Sequence, residues 1–326
     1  MTWRFAGLIV IVVAAAGASL LVGGTSLSLR DVTGALAHPH FGGAVNAIVW
    51  QLRLPRICIA ATVGASLALC GALLQGMLRN PLVDPYLTGV SAGSAAAIAI
   101  AVLAGVAAPF TPGIGFVAGL GAALLVAALA RRGSGIDANR LILAGVSLST
   151  LFAAVVTLAI VRAQSNDYAS AIVAWLAGSM AGRGWHDLAT AAPYVAAGAV
   201  LSVWAVSPLN ALRVGDVRAR TVGVDVDRAQ WIILASSSLL AASSVVLAGM
   251  VGFIGLIVPH IARRLVGSDA RVLLPACAFI GAALCMIADA VCRWVVAPAE
   301  LPIGVLLAFI GVPAFLYLYL HGERAR

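Results

Sequence analysis

The sequence of 326 residues contains no lysine and only two glutamates. Charged residues make up 10% of the chain, whereas about a quarter of an average soluble domain is charged. Without lysine, the phosphate-binding motif G-x-x-x-x-G-K-[ST] cannot be written, which excludes ATP hydrolysis by a P-loop. The chain also lacks an H-E-x-x-H motif and has no paired acids at membrane depth. We therefore expect no catalytic residues, no metal site and no cofactor bound by this chain.

Apolar residues dominate the chain instead. They account for 62% of it, and the mean hydropathy is +1.07. Because one membrane crossing takes about 20 apolar residues, the sequence predicts one all-α integral membrane domain over residues 1–326, with about ten transmembrane helices. The predicted spans are 5–23, 54–78, 86–107, 113–130, 140–161, 188–206, 229–247, 250–265, 272–293 and 303–320.

Arginine supplies all 20 basic side chains, scattered over short loops, a pattern typical of membrane orientation rather than of nucleic-acid binding. An even number of spans places both termini on one side. The loops of that side hold fourteen arginines, Arg324 and Arg326 among them, against six on the other. By the positive-inside rule, the first side is cytoplasmic. The six outer arginines are Arg30, Arg53, Arg56, Arg162, Arg183 and Arg293.

Two segments outside the spans have recognisable patterns. Residues 168–178 hold an apolar core too short to cross a bilayer, which predicts a short periplasmic helix that lies at the surface or enters partway. The polar stretch 207–228 predicts a cytoplasmic loop with a short amphipathic helix that docks on a soluble partner, or else a solvated connector.

A weak internal repeat follows the second and seventh predicted spans. "GALLQGMLRNPLVDPYLTGVSAG" and "LAGMVGFIGLIVPHIARRLVGSDARVLLP" each pair a glycine-rich apolar run with a proline-broken polar turn. The two spans run in opposite directions, so spans 2–5 and 7–10 are predicted to form an inverted repeat, as in many transporters.

Asp289 is the one ionisable residue clearly inside a predicted span, and Arg293 follows it at i+4. This spacing predicts a structural ion pair, although an acid within the membrane is also a candidate functional residue. Arg53 and Arg56 present a different problem. They lie where a span begins at the outer face, and both the positive-inside rule and the helix dipole disfavour cations there.

In "RNPLVDPY", residues 79–86, two prolines stand four positions apart and force extended or turn geometry on Asn80 and Asp84. The sequence predicts a rigid, non-helical hinge at the cytoplasmic membrane face. From the residues alone it is either a gate in a translocation path or a tight turn.

Seven stretches together resemble the permease subunits of bacterial ABC importers for iron chelates, haem and cobalamin, the FecCD type of type II importers. They are "QLRLPRI", "GALLQGMLRNPLVDPYLTGVSAG", "LILAGVSLS", "WLAGSMAGRGW", "ARTVGVDVDRAQ", "GFIGLIVPHIARRL" and "AELPIGVLLAFIGVPAF". The resemblance covers about residues 45–320. It implies a homodimer in the bacterial inner membrane, two cytoplasmic ABC ATPase subunits that bind ATP and Mg, and a periplasmic substrate-binding protein.

The resemblance also implies roles for particular residues. Arg53, Arg56 and Arg293 are expected to dock acidic side chains of the binding protein, since a guanidinium grips a carboxylate through two hydrogen bonds. Arg183 stands at the outer mouth, where it meets either a haem propionate or only the membrane interface.

On the cytoplasmic side, the resemblance implies a gate and a coupling segment. The expected gate is formed by Asn80, Pro81, Leu82, Ala138 and Asn139. Ala138 departs from the hydroxyl residue found there in some relatives. The expected contacts with the ATPase are Ala219, Arg220, Val222, Gly223 and Val224.

We therefore expect a transport subunit rather than an enzyme, one that moves haem or a ferric siderophore from periplasm to cytoplasm. A cobalamin importer permease of the same family is the alternative cargo. The alternative class is an ion-coupled secondary transporter, which needs an ion or proton site at mid-membrane, where only Asp289 is available.

Overall fold

The computed structural model describes residues 2–23, 25, 27–38, 43–133, 135–163, 165–297 and 299–322. Arg324 and Arg326 lie outside these residues. The described chain is nearly all helical. Its α-helices are α1 Thr2–Leu21, α2 Leu29–Ala37, α3 Ala44–Ala47, α4 Leu54–Leu78, α5 Val90–Leu103, α6 Thr111–Ala130, α7 Ala138–Arg162, α8 Asn166–Ala177, α9 Trp185–Trp204, α10 Val206–Leu212, α11 Asp216–Thr221, α12 Val226–Ala248, α13 Ile254–Val266, α14 Ala270–Val295 and α15 Ile303–Gly322.

Short elements join some of these helices. A π-helical turn, Ile48–Arg53, makes α3 and α4 continuous, and 3₁₀ turns cover Pro85–Thr88 and Ala108–Phe110. The strands β1 Arg131–Arg132 and β2 Gly135–Ile136 form a small antiparallel hairpin before α7.

Each predicted span coincides with a helix, and seven of the described helices are long and apolar enough to cross a membrane. Of the other three, α5 has 14 residues and α13 has 13, both fewer than predicted, whereas α15 covers the predicted span 303–320. In α5 the difference arises because residues 85–88 form a 3₁₀ turn and Gly89 has a left-handed backbone. The multi-pass all-α fold is therefore confirmed, whereas the count of ten crossings stays a prediction.

Aspartate side chains begin three of the long helices at the ends predicted to be cytoplasmic. Asp137, Asp225 and Asp269 each accept a hydrogen bond of 3.0 Å from a backbone N–H in the first turn of α7, α12 and α14. Such caps satisfy amide groups that have no partner within the helix. Acidic residues are scarce in this chain, and these three aspartates fix where three of the long helices begin.

The core of the fold is formed by α4, α12 and α14. In the most apolar window of α4 and of α12, 72% of residues are buried, against 17% in α1, α7 and α9, whose exposed apolar faces suit contact with lipid. Glycines bring α4 against its neighbours: a Cβ at Gly64 would lie 2.1 Å from the carbonyl oxygen of Gly281, and one at Gly71 would lie 1.9 Å from that of Gly255. Small residues allow such close helix contacts in membranes.

The two segments outside the spans are helical where the sequence suggested it. The short helix predicted at 168–178 is α8, Asn166–Ala177. The loop predicted at 207–228 contains two short helices, α10 and α11, rather than one.

Candidate functional site

At the predicted outer side, the C-terminal ends of α1 and α14 and the N-terminal end of α4 meet in a cluster of charged side chains. Arg53 ends the π turn, Arg56 lies in the first turn of α4, and Asp289 and Arg293 lie near the end of α14. Glu300, in the chain between α14 and α15, completes this group, which we call the outer charge cluster.

Arg56 is held by two carboxylates of its own chain. Its Nε and Nη2 contact the Asp289 carboxylate at 2.9–3.2 Å, and its Nη1 and Nη2 donate to Glu300 at 2.8 and 2.9 Å. Paired contacts of this kind are the strongest that a guanidinium forms with an acid. Both edges of the Arg56 guanidinium are therefore occupied.

The predicted ion pair between Asp289 and Arg293 is confirmed. Arg293 Nε lies 3.0 Å from Asp289 Oδ2, in an orientation that leaves the Nε–H without a well-aligned hydrogen bond. Asp289 is 2% exposed, so its charge is balanced almost entirely by Arg56 and Arg293.

Arg53 and Arg293 also cap the C-terminal end of α1. Arg53 donates to the carbonyl oxygens of Leu20, Leu21 and Thr25. Arg293 donates to the carbonyl of Val22 at 2.7 Å and to the hydroxyl of Ser19 at 2.6 Å. The last carbonyls of a helix have no partner within it, and its dipole favours cations at that end. These contacts with the end of α1 give Arg53 and Arg293 a structural reason to lie at the predicted outer face.

The structure thus brings the three predicted docking arginines together, but they already bind groups of their own chain, and two of them are buried. Arg53 is 4% exposed and Arg293 is 5% exposed. A role for Arg53, Arg56 and Arg293 in docking stays a prediction. Sequence reasoning missed Glu300, which no local pattern connects to an arginine 244 positions earlier.

Beside the outer charge cluster lies a cavity of about 440 Å³, lined partly by Arg53, Arg56, Arg293 and Glu300. Arg183 also lines this cavity and pairs with Asp187 at 3.0 Å. The cavity therefore collects four of the six outer arginines that the sequence contains. Its surroundings suit a ligand or a partner side chain that carries negative charge.

The predicted hinge after α4 is non-helical over residues 79–84, and its last two residues, Pro85 and Tyr86, begin a 3₁₀ turn. Asn80 Oδ1 accepts a hydrogen bond of 2.9 Å from the Leu82 amide, and Asp84 has an extended backbone before Pro85. Burial raises the pKa of Asp84 to about 6, although the Tyr86 amide that donates to its carboxylate acts in the opposite direction.

A half-buried tyrosine, Tyr86, joins this hinge to the loop between α12 and α13. The Tyr86 hydroxyl donates to the carbonyl of Val251 at 3.0 Å and accepts from the amide of Val251 at 2.8 Å. Next to it, Gln75 Nε2 donates to the carbonyl of Gly255 at 3.0 Å, and Gln75 Oε1 accepts from Arg263 at 2.7 Å. The segments that follow the second and seventh predicted spans therefore pack on each other.

We expect Tyr86→Phe to lower the free energy of unfolding by about 1–3 kcal/mol, because the change removes the hydroxyl that satisfies both polar groups of buried Val251. The measurement is the thermal midpoint of the purified protein in detergent. Tyr194→Phe is the matched control, since Tyr194 is 45% exposed. An equal effect of the two variants would contradict this account of the hinge.

The predicted gate residues belong to two segments. Asn80, Pro81 and Leu82 lie in the hinge, whereas Ala138 and Asn139 begin α7. The 3₁₀ turn that follows the hinge packs on α7 two turns after its start, where a Cβ at Gly145 would lie 1.8 Å from the Leu87 carbonyl oxygen. The hairpin before α7 is fixed by the Ile136 amide, which donates to buried Gln230 of α12 at 2.8 Å. Gating by these residues stays a prediction.

The predicted coupling segment, residues 219–224, comprises the end of α11 and the loop after it. Ala219 is buried, whereas Val222 is 71% exposed. The nearby Val217 is also largely exposed. Arg220 pairs with Asp227 at 2.9 Å, and Gly223 has a positive φ of 83°. Val224 donates its amide to the Ala219 carbonyl at 3.0 Å and is partly buried. Exposed valines on a charged segment are the pattern of a protein-docking surface, and coupling to an ATPase stays a prediction.

Comparison with known proteins identifies the family of the chain. Residues 8–321 match the FecCD transport family. The chain belongs to the FecCD transport family. This result confirms the resemblance carried by the seven sequence stretches.

Individual FecCD relatives agree over most of their length. The chain is 42% identical to the cobalamin import system permease protein BtuC of Halobacterium salinarum, over 84% of this chain and 73% of that one. It is 34% identical to the hemin transport system permease protein HmuU of Yersinia pestis, over 98% and 95%. A solved structure described as an inward-facing metal-chelate type ABC transporter matches with a TM-score of 0.87 and 33% identity, over 99% of both chains.

Proposed function

We propose that this chain is the permease subunit of an ATP-driven importer, and that it moves haem or a ferric siderophore from the periplasm to the cytoplasm. The observation that carries the proposal is the match along nearly the whole chain, at a TM-score of 0.87, to a metal-chelate type ABC transporter. A permease of this class transports and does not itself catalyse. In this proposal ATP and Mg bind to a separate ATPase, and this chain binds no cofactor.

The proposed assembly is a homodimer in the bacterial inner membrane, with the termini of both copies in the cytoplasm. Two ATPase subunits bind below, on the surface around α11 that includes Arg220 and Val222 and under which Ala219 is buried. A periplasmic binding protein docks above, on the outer charge cluster. Exposed valines at α11 and the collection of arginines beside the outer cavity support these two contacts.

The proposed substrate path runs from the outer mouth, near Arg183, to the hinge at Asn80–Leu82 and the start of α7. The 3₁₀ turn that follows the hinge packs on α7 through Leu87, which supports a joint role of the two segments in gating. Arg183 is half-buried beside Asp187, so any contact with a substrate carboxylate competes with that ion pair.

Cobalamin is the second candidate cargo, because the relative with 42% identity is a cobalamin import permease. An ion-coupled secondary transporter is disfavoured by the geometry of Asp289. Its carboxylate is balanced by Arg56 at 2.9 Å and Arg293 at 3.0 Å, which leaves no free acid there to carry a proton.

We expect proteoliposomes that contain this chain and its ATPase to take up haem or a ferric siderophore only when ATP and the loaded binding protein are present. Parallel assays with haem, a ferric siderophore and cobalamin separate the three cargoes. An ATPase variant without its P-loop lysine is the control for energy coupling. Uptake driven by an ion gradient in the absence of the ATPase would contradict the proposal.

A further inference from the structure

In the outer charge cluster, the carboxylate of Glu300 binds Arg56, the arginine to which a docking partner is expected to present its own acidic side chain. Arg56 uses one edge of its guanidinium for Asp289 and the other for Glu300, whose oxygens lie 2.8 and 2.9 Å away. An acidic side chain from another protein cannot grip Arg56 through two hydrogen bonds while both edges are filled. One of the two acids must leave first.

The two acids differ in how firmly they are held. Asp289 is 2% exposed, lies within α14 and is also bound by Arg293 at 3.0 Å. The Glu300 side chain is 37% exposed, lies outside any helix and contacts no arginine but Arg56 among the ion pairs of the described residues. Breaking an exposed pair costs far less than leaving a buried charge unpaired. Glu300 is therefore the acid that can be displaced.

The surroundings provide room for such an exchange. Glu300 and Arg56 both line the outer cavity of about 440 Å³. The chain is anchored directly after Glu300: Leu301 donates its amide to the Cys292 carbonyl at 3.1 Å, and Ile303 donates its amide to the Gly178 carbonyl at 3.1 Å. These anchors hold the backbone, so the side chain can swing away from Arg56 without moving α15.

We propose that Glu300 is an internal substitute for the partner's acidic side chain: it occupies Arg56 in the resting permease and is displaced when a carboxylate of the binding protein docks. This inference rests on the proposed docking of a binding protein. It assigns Glu300 as a residue that lowers docking affinity, and so keeps the complex reversible, while it keeps Arg56 ordered between docking events.

The test measures docking in the presence and absence of the Glu300 charge. The permease with its ATPase is placed in lipid nanodiscs, and the probe is the purified secreted binding protein whose gene neighbours that of this chain. We expect Glu300→Gln to lower the dissociation constant by about two- to fivefold, the factor set by an exposed ion pair. Thermal midpoints measured in parallel establish that the variant is folded.

Asp167→Asn is the matched control, because Asp167 lies in the first turn of α8 and forms none of the ion pairs seen in the described chain. It removes one negative charge from the predicted outer side without freeing Arg56. A gain in affinity for Glu300→Gln alone supports the exchange. An unchanged or weaker affinity, or an equal gain in both variants, overturns it. If the wild-type permease binds no such protein, the proposed function itself is wrong, and the exchange falls with it.

Discussion

Replacing Gly71 with alanine is expected to prevent this permease from reaching its folded state. A Cβ at that position would lie 1.9 Å from the Gly255 carbonyl oxygen and 2.6 Å from its carbon. Overpacking against side chains costs about 1–3 kcal/mol, and here the obstacle is backbone, so we expect a larger cost. The measurement is the yield of monodisperse protein after solubilisation, followed by size-exclusion chromatography.

Gly121→Ala is the control for this experiment. Gly121 also lies inside a long helix, α6, but nothing lies within 4 Å of the Cβ it would gain. That variant should be as stable as the wild type, or slightly more stable, because alanine favours the helix. A well-folded Gly71→Ala protein would show that α4 and α13 do not cross as closely as described.

Replacing Asp289 with asparagine is expected to lower the free energy of unfolding by about 3–5 kcal/mol, the usual cost of removing one partner from a buried ion pair. The change leaves Arg293, which is 5% exposed, with only neutral partners, and removes one of the two acids that hold Arg56. Thermal unfolding in nanodiscs, followed by tryptophan fluorescence, measures the loss.

Two further variants isolate the cause. Asp187→Asn breaks the partly exposed pair with Arg183 and should cost no more than about 1 kcal/mol. Asp289→Asn combined with Arg293→Gln should recover part of the lost stability, because the buried cation is removed together with its acid. If the double variant is as unstable as the sum of the single ones, the ion pair is not the source of the effect.

The sequence was sufficient to predict features that depend on neighbouring residues. The apolar run of the second span predicted 54–78, and α4 is Leu54–Leu78. The pair Asp289–Arg293 was predictable because i,i+4 residues share a helix face. The hinge followed from proline geometry. Each of these results needs only a few adjacent positions.

Features that depend on distant residues were not predictable in this way. The predicted third span began at 86, but α5 begins at Val90, because hydropathy does not register the turn at 85–88. The partners of Arg293 on α1 lie more than 270 positions away, and Glu300 lies 244 positions from Arg56. Local patterns carry no record of such pairs, and a single sequence without relatives gives no pairing signal.

The capping of α1 by Arg53 and Arg293 has a consequence for the order of assembly during synthesis. Helix α1 is synthesised well before α14, which carries one of the two guanidinium groups that cap its carbonyls. Helix α1 therefore stays only half-anchored until α14 has been inserted. Nascent chains that end before residue 293 should hold α1 loosely.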